Sequence, residues 1–311
     1  MNQNLLSNIV LGVAIGDAIG VPVEFEPRLK LKQNPVTGMR EYGTHDQPKG
    51  TWSDDTSLTL CLAESIVEGF DLQQLANKFV AWKNNNHWTP HGWVFDIGIG
   101  TRIAIDRLEK GEQPEYAGGF EEMDNGNGSL MRILPLVLLT VNLSAEESYS
   151  LTKKVSSLTH GHVRSVISCF YYLEFAKKII EGITPYEAFV LLQSEVTEFL
   201  IEKKINPDEI SKFNRLLQGN IALLNEEDIK SSGYVLDTLE ASVWCLLTTG
   251  SYEKAVLKAV NLGHDTDTTG AVVGGLAALY YGIEAIPNNW LLSLARLEDI
   301  NNLCNQYEKV M

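Results

Sequence analysis

Two short stretches of the chain gather oxygen ligands where helices are expected to begin. One is Gly263-His264-Asp265-Thr266-Asp267-Thr268-Thr269-Gly270, followed by small and apolar residues through Gly282; the other, far upstream, is Trp52-Ser53-Asp54-Asp55-Thr56. Adjacent residues on a regular helix point about 100° apart. Asp54 and Asp55 therefore suit ligands on different sides of a metal cluster better than a proton-sharing pair. Asp265 and Asp267 flank a single residue, as loop ligands do, and Ser53 and Thr268 add hydroxyls. Oxygen ligands without coordinating Cys or His select hard cations, Mg²⁺ or Mn²⁺, over zinc or copper. Capping is the ordinary task of Ser, Thr and Asp at a helix start. Two clusters, each with more acids than a cap requires and each opening a Gly- or Ala-rich helix, favour the metal reading.

Other stretches carry weaker signals. In Asn125-Gly126-Asn127-Gly128-Ser129-Leu130-Met131-Arg132 the glycines free the backbone, and the amides can cradle a phosphate. Asn-Gly is also an ordinary turn. Thr159-His160-Gly161-His162 is a polar cluster between helices, and by itself it is more simply read as capping. Asp17 interrupts an apolar helix, where capping or buried hydrogen bonding weighs at least as much as chemistry. Glu24 lies between Pro22 and Pro27 in extended chain. The stretch holding His87, Trp88, His91, Trp93 and Phe95 reads as an aromatic loop beside a pocket, with plain surface packing close behind. Pro90 breaks the helix that a histidine metal pair at this spacing would need.

The elements that must position these groups are helical throughout. Helices are expected at 5–20, from Ser53-Asp54-Asp55 to about Ile66, and over 72–84, 97–109, 145–158, 162–181, 184–203, 207–218, 234–248 and 252–262. A small-residue helix follows the second acidic stretch, and a last helix runs from Trp290. Arg28 to Lys49 reads as one long loop. No strand, repeat or linker stands out, so the expectation is one all-α domain over 1–311. Residues 181–227, polar and without chemistry-bearing clusters, look like a peripheral insertion.

Composition narrows the function classes. With 44% hydrophobic and 21% charged residues the chain is ordinary for a soluble globular protein. The net charge of −15 argues against nucleic-acid and anionic-membrane partners, and an anionic substrate would need metal ions or helix N-termini to offset it. Cys61, Cys169, Cys245 and Cys304 form no CxxC pair; the first three lie in apolar helical patterns, which favours small buried hydrophobes in a reducing compartment. The apolar run Ile9–Ile15 lacks a basic flank and is broken by Asp17, so neither a signal peptide nor a membrane span is expected. A cytoplasmic, monomeric enzyme is the default.

Taken together, these motifs resemble the ADP-ribosylglycohydrolase family. The match runs in order: GVAIGDAIGVPVEF at 12–25, GTWSDDTSLTLCLAES at 50–65, NGNGSLMRILPL at 125–136, SLTHGH at 157–162 and AVNLGHDTDTTGAVVGGLAALYYG at 259–282. The resemblance implies an all-α orthogonal bundle with a dinuclear Mg²⁺ or Mn²⁺ centre in a cleft. By position it implies Ser53, Asp54, Asp55, Asp265, Asp267 and Thr268 as ligands, with Asp267 bridging. Ser53 stands where the family usually has Thr, and the hydroxyl is kept. The resemblance further implies Asn127, Gly128 and Ser129 as the phosphate- and ribose-binding loop, and His160 as a substrate contact. Glu24 matches the acid of the first motif. The implied activity is release of ADP-ribose from a modified target, foremost an arginine side chain. Metal ions would orient the ribose hydroxyls and acidify a water, and Glu24, Asp54 or Asp55 would take its proton. Three alternatives remain: hydrolysis of serine-linked or small-molecule ADP-ribose conjugates, a two-metal nucleotide phosphohydrolase for which His264-Asp265 would be the HD pair, and a non-catalytic ADP-ribose binder.

Overall fold

The computed structural model describes residues 4–310, which form helices, turns and three isolated bridges, with no strand among them. The longer helices are α1 (Leu5–Gly20), α2 (Arg28–Gln33), α3 (Asp54–Val67), α4 (Leu72–Asn85), α5 (Ile99–Glu109), α6 (Val137–Thr140), α7 (Ala145–Ser157), α8 (Val163–Ile180) and α9 (Pro185–Glu202). They continue as α10 (Pro207–Ser211), α11 (Asn214–Leu217), α12 (Val235–Leu247), α13 (Tyr252–Val260), α14 (Thr266–Tyr281), α15 (Asn288–Leu291) and α16 (Leu297–Val310). The all-α expectation holds.

Two helices far apart in the sequence meet at the centre. α1 and α14 run antiparallel, so that Gly12 faces Gly274, Gly16 faces Gly270 and Gly20 faces Asp267. A Cβ on Gly12 would lie 2.6 Å from the Gly274 carbonyl oxygen, and one on Gly270 would lie 2.5 Å from that of Gly16. Backbone thus packs on backbone, which no larger residue permits. The Leu5–Val23 segment is long and apolar enough to cross a membrane, but 94% of it is buried inside the protein. A helix apolar on every side belongs in the middle of a large core, and α3, α13 and α14 surround α1 here. Tyr252 and Tyr172 donate their hydroxyls to the carbonyls of Gly12 and Val272, at 2.9 and 2.7 Å, stitching α13 and α8 to this pair.

This packing supports a direct test. Gly12→Val is expected to lower the thermal midpoint, with a loss at or beyond the upper end of the ~1–3 kcal/mol typical of overpacking, because the obstacles are the Gly274 carbonyl and Ala278 Cβ. An unchanged melting curve by circular dichroism would refute the close helix contact.

Three expected elements differ. The 28–49 stretch is not all loop: it opens with α2, which Pro27 starts with φ −70°. Leu31 is the one buried residue of α2, so no periodicity announced it. The 207–218 helix is two short ones, broken where Phe213 turns fully into the core. The last helix does not run on from Trp290. Ala295 donates its N–H to the Gly50 carbonyl at 2.9 Å instead of continuing α15, and Arg296 takes φ +49° before α16 begins. Within 181–227, Phe189, Leu192 and Leu200 on α9 join the same buried cluster as α8, while Arg164 of α8 grips both Glu209 oxygens at 2.6 and 2.9 Å. All four cysteines are buried and unpaired.

Candidate metal centre

The antiparallel α1–α14 pair sets the N-terminus of α14 against the C-terminal end of α1, and α3 begins beside both. Asp17, fully buried, is the hinge of this arrangement. Its two oxygens accept the Ser53 N–H at 3.0 Å each, and Oδ2 also accepts the Thr56 N–H at 3.1 Å and the Thr56 hydroxyl at 2.5 Å. Ser53 Oγ accepts the Asp55 N–H at 3.2 Å. The free donors of the first turn of α3 are therefore served by Asp17 and Ser53, which releases the Asp54 and Asp55 side chains from capping. At the other helix start, Asp265 occupies the cap position of α14, yet its side chain caps nothing.

The carboxylates converge. Oxygens of Asp17, Asp55 and Asp267 lie within 4.8 Å of one another, as do those of Glu24, Asp265 and Asp267, so Asp267 is common to both groups. Thr268 Oγ1 reaches Asp55 Oδ1 at 3.4 Å, and Asp265 Oδ2 accepts from Asn127 Nδ2 at 2.8 Å. Asp55 Oδ2 and Asp265 Oδ1 are buried without any hydrogen-bond partner. Among the described residues, the basic side chain that meets these acids is His45, on Glu24. Burial first, and then mutual repulsion, hold Asp54, Asp55 and Asp267 well above the ordinary carboxylate range. Burial likewise pushes Asp17 up to about 6 and Glu24 up to about 7. Orphaned anionic oxygens in a dry, acid-rich cleft are what a hard divalent cation would satisfy, so the donor set fits Mg²⁺ or Mn²⁺.

The expected ligands do not all stand equally close. Asp55, Asp265 and Asp267 sit in the tight groups with Asp17 and Glu24. Asp54 lies to one side, where Oδ2 accepts the Gly98 N–H at 3.4 Å and the carboxyl lines the same narrow cleft as Asp96. Two members of the cleft were not singled out from the sequence. His45 bonds to Glu24 through Nε2, and His45, Glu24 and Asp96 form a third group within 4.8 Å. That bond lifts the His45 pKa, while burial raises Asp96. The rings of Phe25 and Phe95 flank His45, with centroids 6.0 and 5.3 Å away. The aromatic loop does border the acids, since Trp93, Phe95 and Asp96 line a narrow cleft with Trp52, Ser53 and Asp54. Its histidines stay apart: His87 bonds to Glu64 and His91 to Thr51, each at 2.7 Å.

Backbone pairing fixes Glu24 relative to Asp265. Phe25 N–H donates to the His264 carbonyl at 2.6 Å and His264 N–H to the Glu26 carbonyl at 2.8 Å. Phe25 and His264 hold φ +64° and +63°, sparsely populated values for residues with side chains and a form of strain that gathers at functional sites. His264 belongs to none of the candidate metal groups among the described residues, which removes the support for the HD reading.

The expected substrate loop lies beside the acids. Asn127 bridges Thr238 Oγ1 and Asp265 Oδ2, at 2.8 Å each. Gly128 abuts the His160 ring, where a Cβ would come 2.7 Å from Cε1. Ser129 is fully buried, and its hydroxyl accepts from Ser156 at 2.9 Å and meets Cys169 Sγ at 3.4 Å, so it has its backbone alone to offer a ligand. A cavity of about 410 Å³ opens here, lined by Ile99, Ile103, Met123, Gly126 and His160 among others.

An all-helical protein that holds acids from two helix starts around one cleft has recognisable relatives. The family model described as ADP-ribosylglycohydrolase matches residues 3–311. The chain belongs to the ADP-ribosylglycohydrolase family. It is 34% identical to the ADP-ribosylarginine hydrolase Tri1 of Serratia proteamaculans over 96% of this chain and 77% of that protein. It is 27% identical to the ADP-ribosyl-[dinitrogen reductase] glycohydrolase of Rhodospirillum rubrum, over 91% and 88%. A solved ADP-ribosylglycohydrolase-related protein complex superimposes with a TM-score of 0.81 at 31% identity, over 99% of this chain and 98% of the other.

Proposed function

We propose that the protein hydrolyses the glycosidic bond between ADP-ribose and an acceptor, with ADP-ribosylated arginine on a protein as the substrate and two Mg²⁺ or Mn²⁺ ions as cofactors. The observation that carries this is the convergence of Asp17, Asp55, Asp265 and Asp267 with two buried oxygens left unpartnered. Asp55, Asp265 and Asp267 would hold the ions, with Asp54, Ser53 and Thr268 completing the set. When bound, the ions would orient the ribose hydroxyls and make a water more acidic.

The chain's own groups supply the rest. Water oxygen joins the anomeric carbon as the bond from that carbon to the guanidine nitrogen breaks, through an oxocarbenium-like state. A carboxylate takes the water's proton, and the departing guanidine collects one. Glu24 suits that exchange by position, because its carboxyl lies in one group with Asp265 and Asp267 and bonds to His45, which can pass a proton on. Asp54 and Asp55 are the other candidates for this role. Gly128 and the Asn127 and Ser129 backbone would receive the pyrophosphate and ribose beside His160. The acids Glu24 and Asp96 favour a cationic acceptor, and the exposed faces of Phe25 and Trp93 would pack on a guanidinium.

A panel of arginine-linked, serine-linked and small-molecule ADP-ribose conjugates, with nucleotides as controls, tests the reading with either ion. Release of free ADP-ribose from the arginine conjugate is the expected result. Preference for the serine or small-molecule conjugate would move the acceptor, phosphate release from nucleotides would replace the chemistry, and binding without turnover would leave a binder.

A further inference from the structure

Arg132 is fully buried, yet no carboxylate among the described residues meets it. Its guanidinium lies 4.7 Å over the Phe79 ring, and Nε and Nη1 have no partner. One nitrogen is fully used: Nη2 donates to the Val155 carbonyl at 3.2 Å and to Thr159 Oγ1 at 2.7 Å. Thr159 Oγ1 in turn lies 2.9 Å from His160 Nδ1. Keeping an unpaired cation in the core is costly, which raises the question of what this chain of contacts does.

The donor inventory answers it. A guanidinium donates and never accepts, so Thr159 Oγ1 is an acceptor toward Arg132. The hydroxyl has a single hydrogen, and His160 Nδ1 is the one acceptor within bonding distance of it among the described residues. If Nδ1 carried the imidazole proton instead, that buried hydroxyl hydrogen would face it with no acceptor, at a cost of about 1–3 kcal/mol. We infer that Arg132 and Thr159 are positioning residues that lock His160 as the neutral tautomer with its proton on Nε2, making the ring a fixed donor toward the cleft.

The surroundings of Nε2 agree. A Cβ on Gly100 or Gly126 would lie 3.2 Å from that nitrogen, so glycines open a window around it. Nε2 makes no hydrogen bond to the described protein residues, and the ring borders the cavity of about 410 Å³. Burial and the nearby Arg132 push the His160 pKa down to about 3, which keeps the ring neutral. A neutral Nε2–H binds an oxygen acceptor such as a phosphate or ribose oxygen and rejects a donor in the same place. This specificity rests on the proposed ADP-ribose reading of the cleft; the tautomer itself does not.

Long-range proton–nitrogen NMR of ¹⁵N-histidine-labelled protein reads the tautomer without substrate. The Mg²⁺-loaded wild type is expected to show His160 protonated on Nε2 across the neutral range. Thr159→Val should release that preference and raise KM for the ADP-ribosylated substrate about tenfold, with kcat little changed, as loss of one uniform binding contact predicts. Thr159→Ser should keep both the tautomer and KM. An Nδ1–H signal in the wild type would overturn the inference, as would a Thr159→Val protein with unaltered tautomer and KM. If Thr159→Val fails to fold, the wild-type tautomer and Thr159→Ser decide the matter. If no ADP-ribosyl substrate is turned over, the functional reading fails while the tautomer measurement still judges the relay.

Discussion

Replacing Asp55 with asparagine is expected to abolish turnover and, in the metal-free protein, to raise thermal stability. The two effects have one cause. Asp55 is buried beside Asp17 and Asp267, its Oδ2 has no partner, and burial together with those neighbours holds its carboxyl well above the ordinary range. In chelated protein at neutral pH an ionised Asp55 is a liability, and a neutral amide removes it while keeping an oxygen for Thr268. The gain is on the order of 1–3 kcal/mol, the usual cost of a buried polar group left without a partner. The same change takes an anionic oxygen from the proposed ion site. Even groups behind metal ligands cost about 10–100-fold when removed, so the loss of activity should exceed ~100-fold. ADP-ribose release with Mg²⁺ or Mn²⁺, and calorimetry in chelator, read the two effects separately. A helix-start role alone predicts the opposite sign, a lower melting temperature with activity largely kept.

The second large effect is a pH dependence of the metal-free protein that runs against the usual trend. Asp17 rises from 3.8 to about 6 on folding and Glu24 from 4.5 to about 7, both chiefly through burial. A carboxyl whose folded pKa is raised holds its proton more tightly in the native state. The unfolded chain then binds fewer protons between the two pKa values, and stability falls as pH climbs. Chelated protein should therefore be most stable near pH 4 and lose stability from there up to about pH 7, by about 3 kcal/mol from Asp17 alone. Divalent ions should restore the loss at neutral pH and do little in acid, because protonated carboxylates are poor ligands. Urea titrations across this range, with and without Mg²⁺, measure the effect. A chelated protein whose stability rises toward neutrality would contradict the acid-rich cleft.

The sequence disclosed the acids that sit at helix starts, because Ser53-Asp54-Asp55 and Asp265-Thr266-Asp267 each carry more carboxylates than a cap can use. It disclosed the small-residue helices as well, since Gly and Ala at that density permit the close approach of another helix. Other parts were hidden by the physics of the chain. Asp17 caps a helix through the N–H of Ser53, 36 residues later, a tertiary hydrogen bond with no local signature. His45 ends a single 3-10 turn, Gly43–His45, and Asp96 lies in irregular chain, where neither periodicity nor capping chemistry marks a residue, and they meet Glu24 through the path of the folded chain. The inward turn of Ser129 depends on Ser156 and Cys169, which belong to other helices. The break after Trp290 depends on Gly50, at the opposite end of the sequence.

The antiparallel glycine contact also sets a timetable for synthesis. Gly20 and Thr266, which touch in the finished protein, are 246 positions apart. At translation rates of about 5–20 residues per second, α1 leaves the ribosome roughly 10–50 s before its partner α14 exists. During that interval a helix apolar on every side has no α14 to cover it, and neither half of the acidic cleft can meet the other. The nascent chain is therefore exposed to aggregation, and to factors that bind apolar segments, until residues 266–281 have been made. Catalytic competence arrives late and all at once, when α14 docks and buries α1.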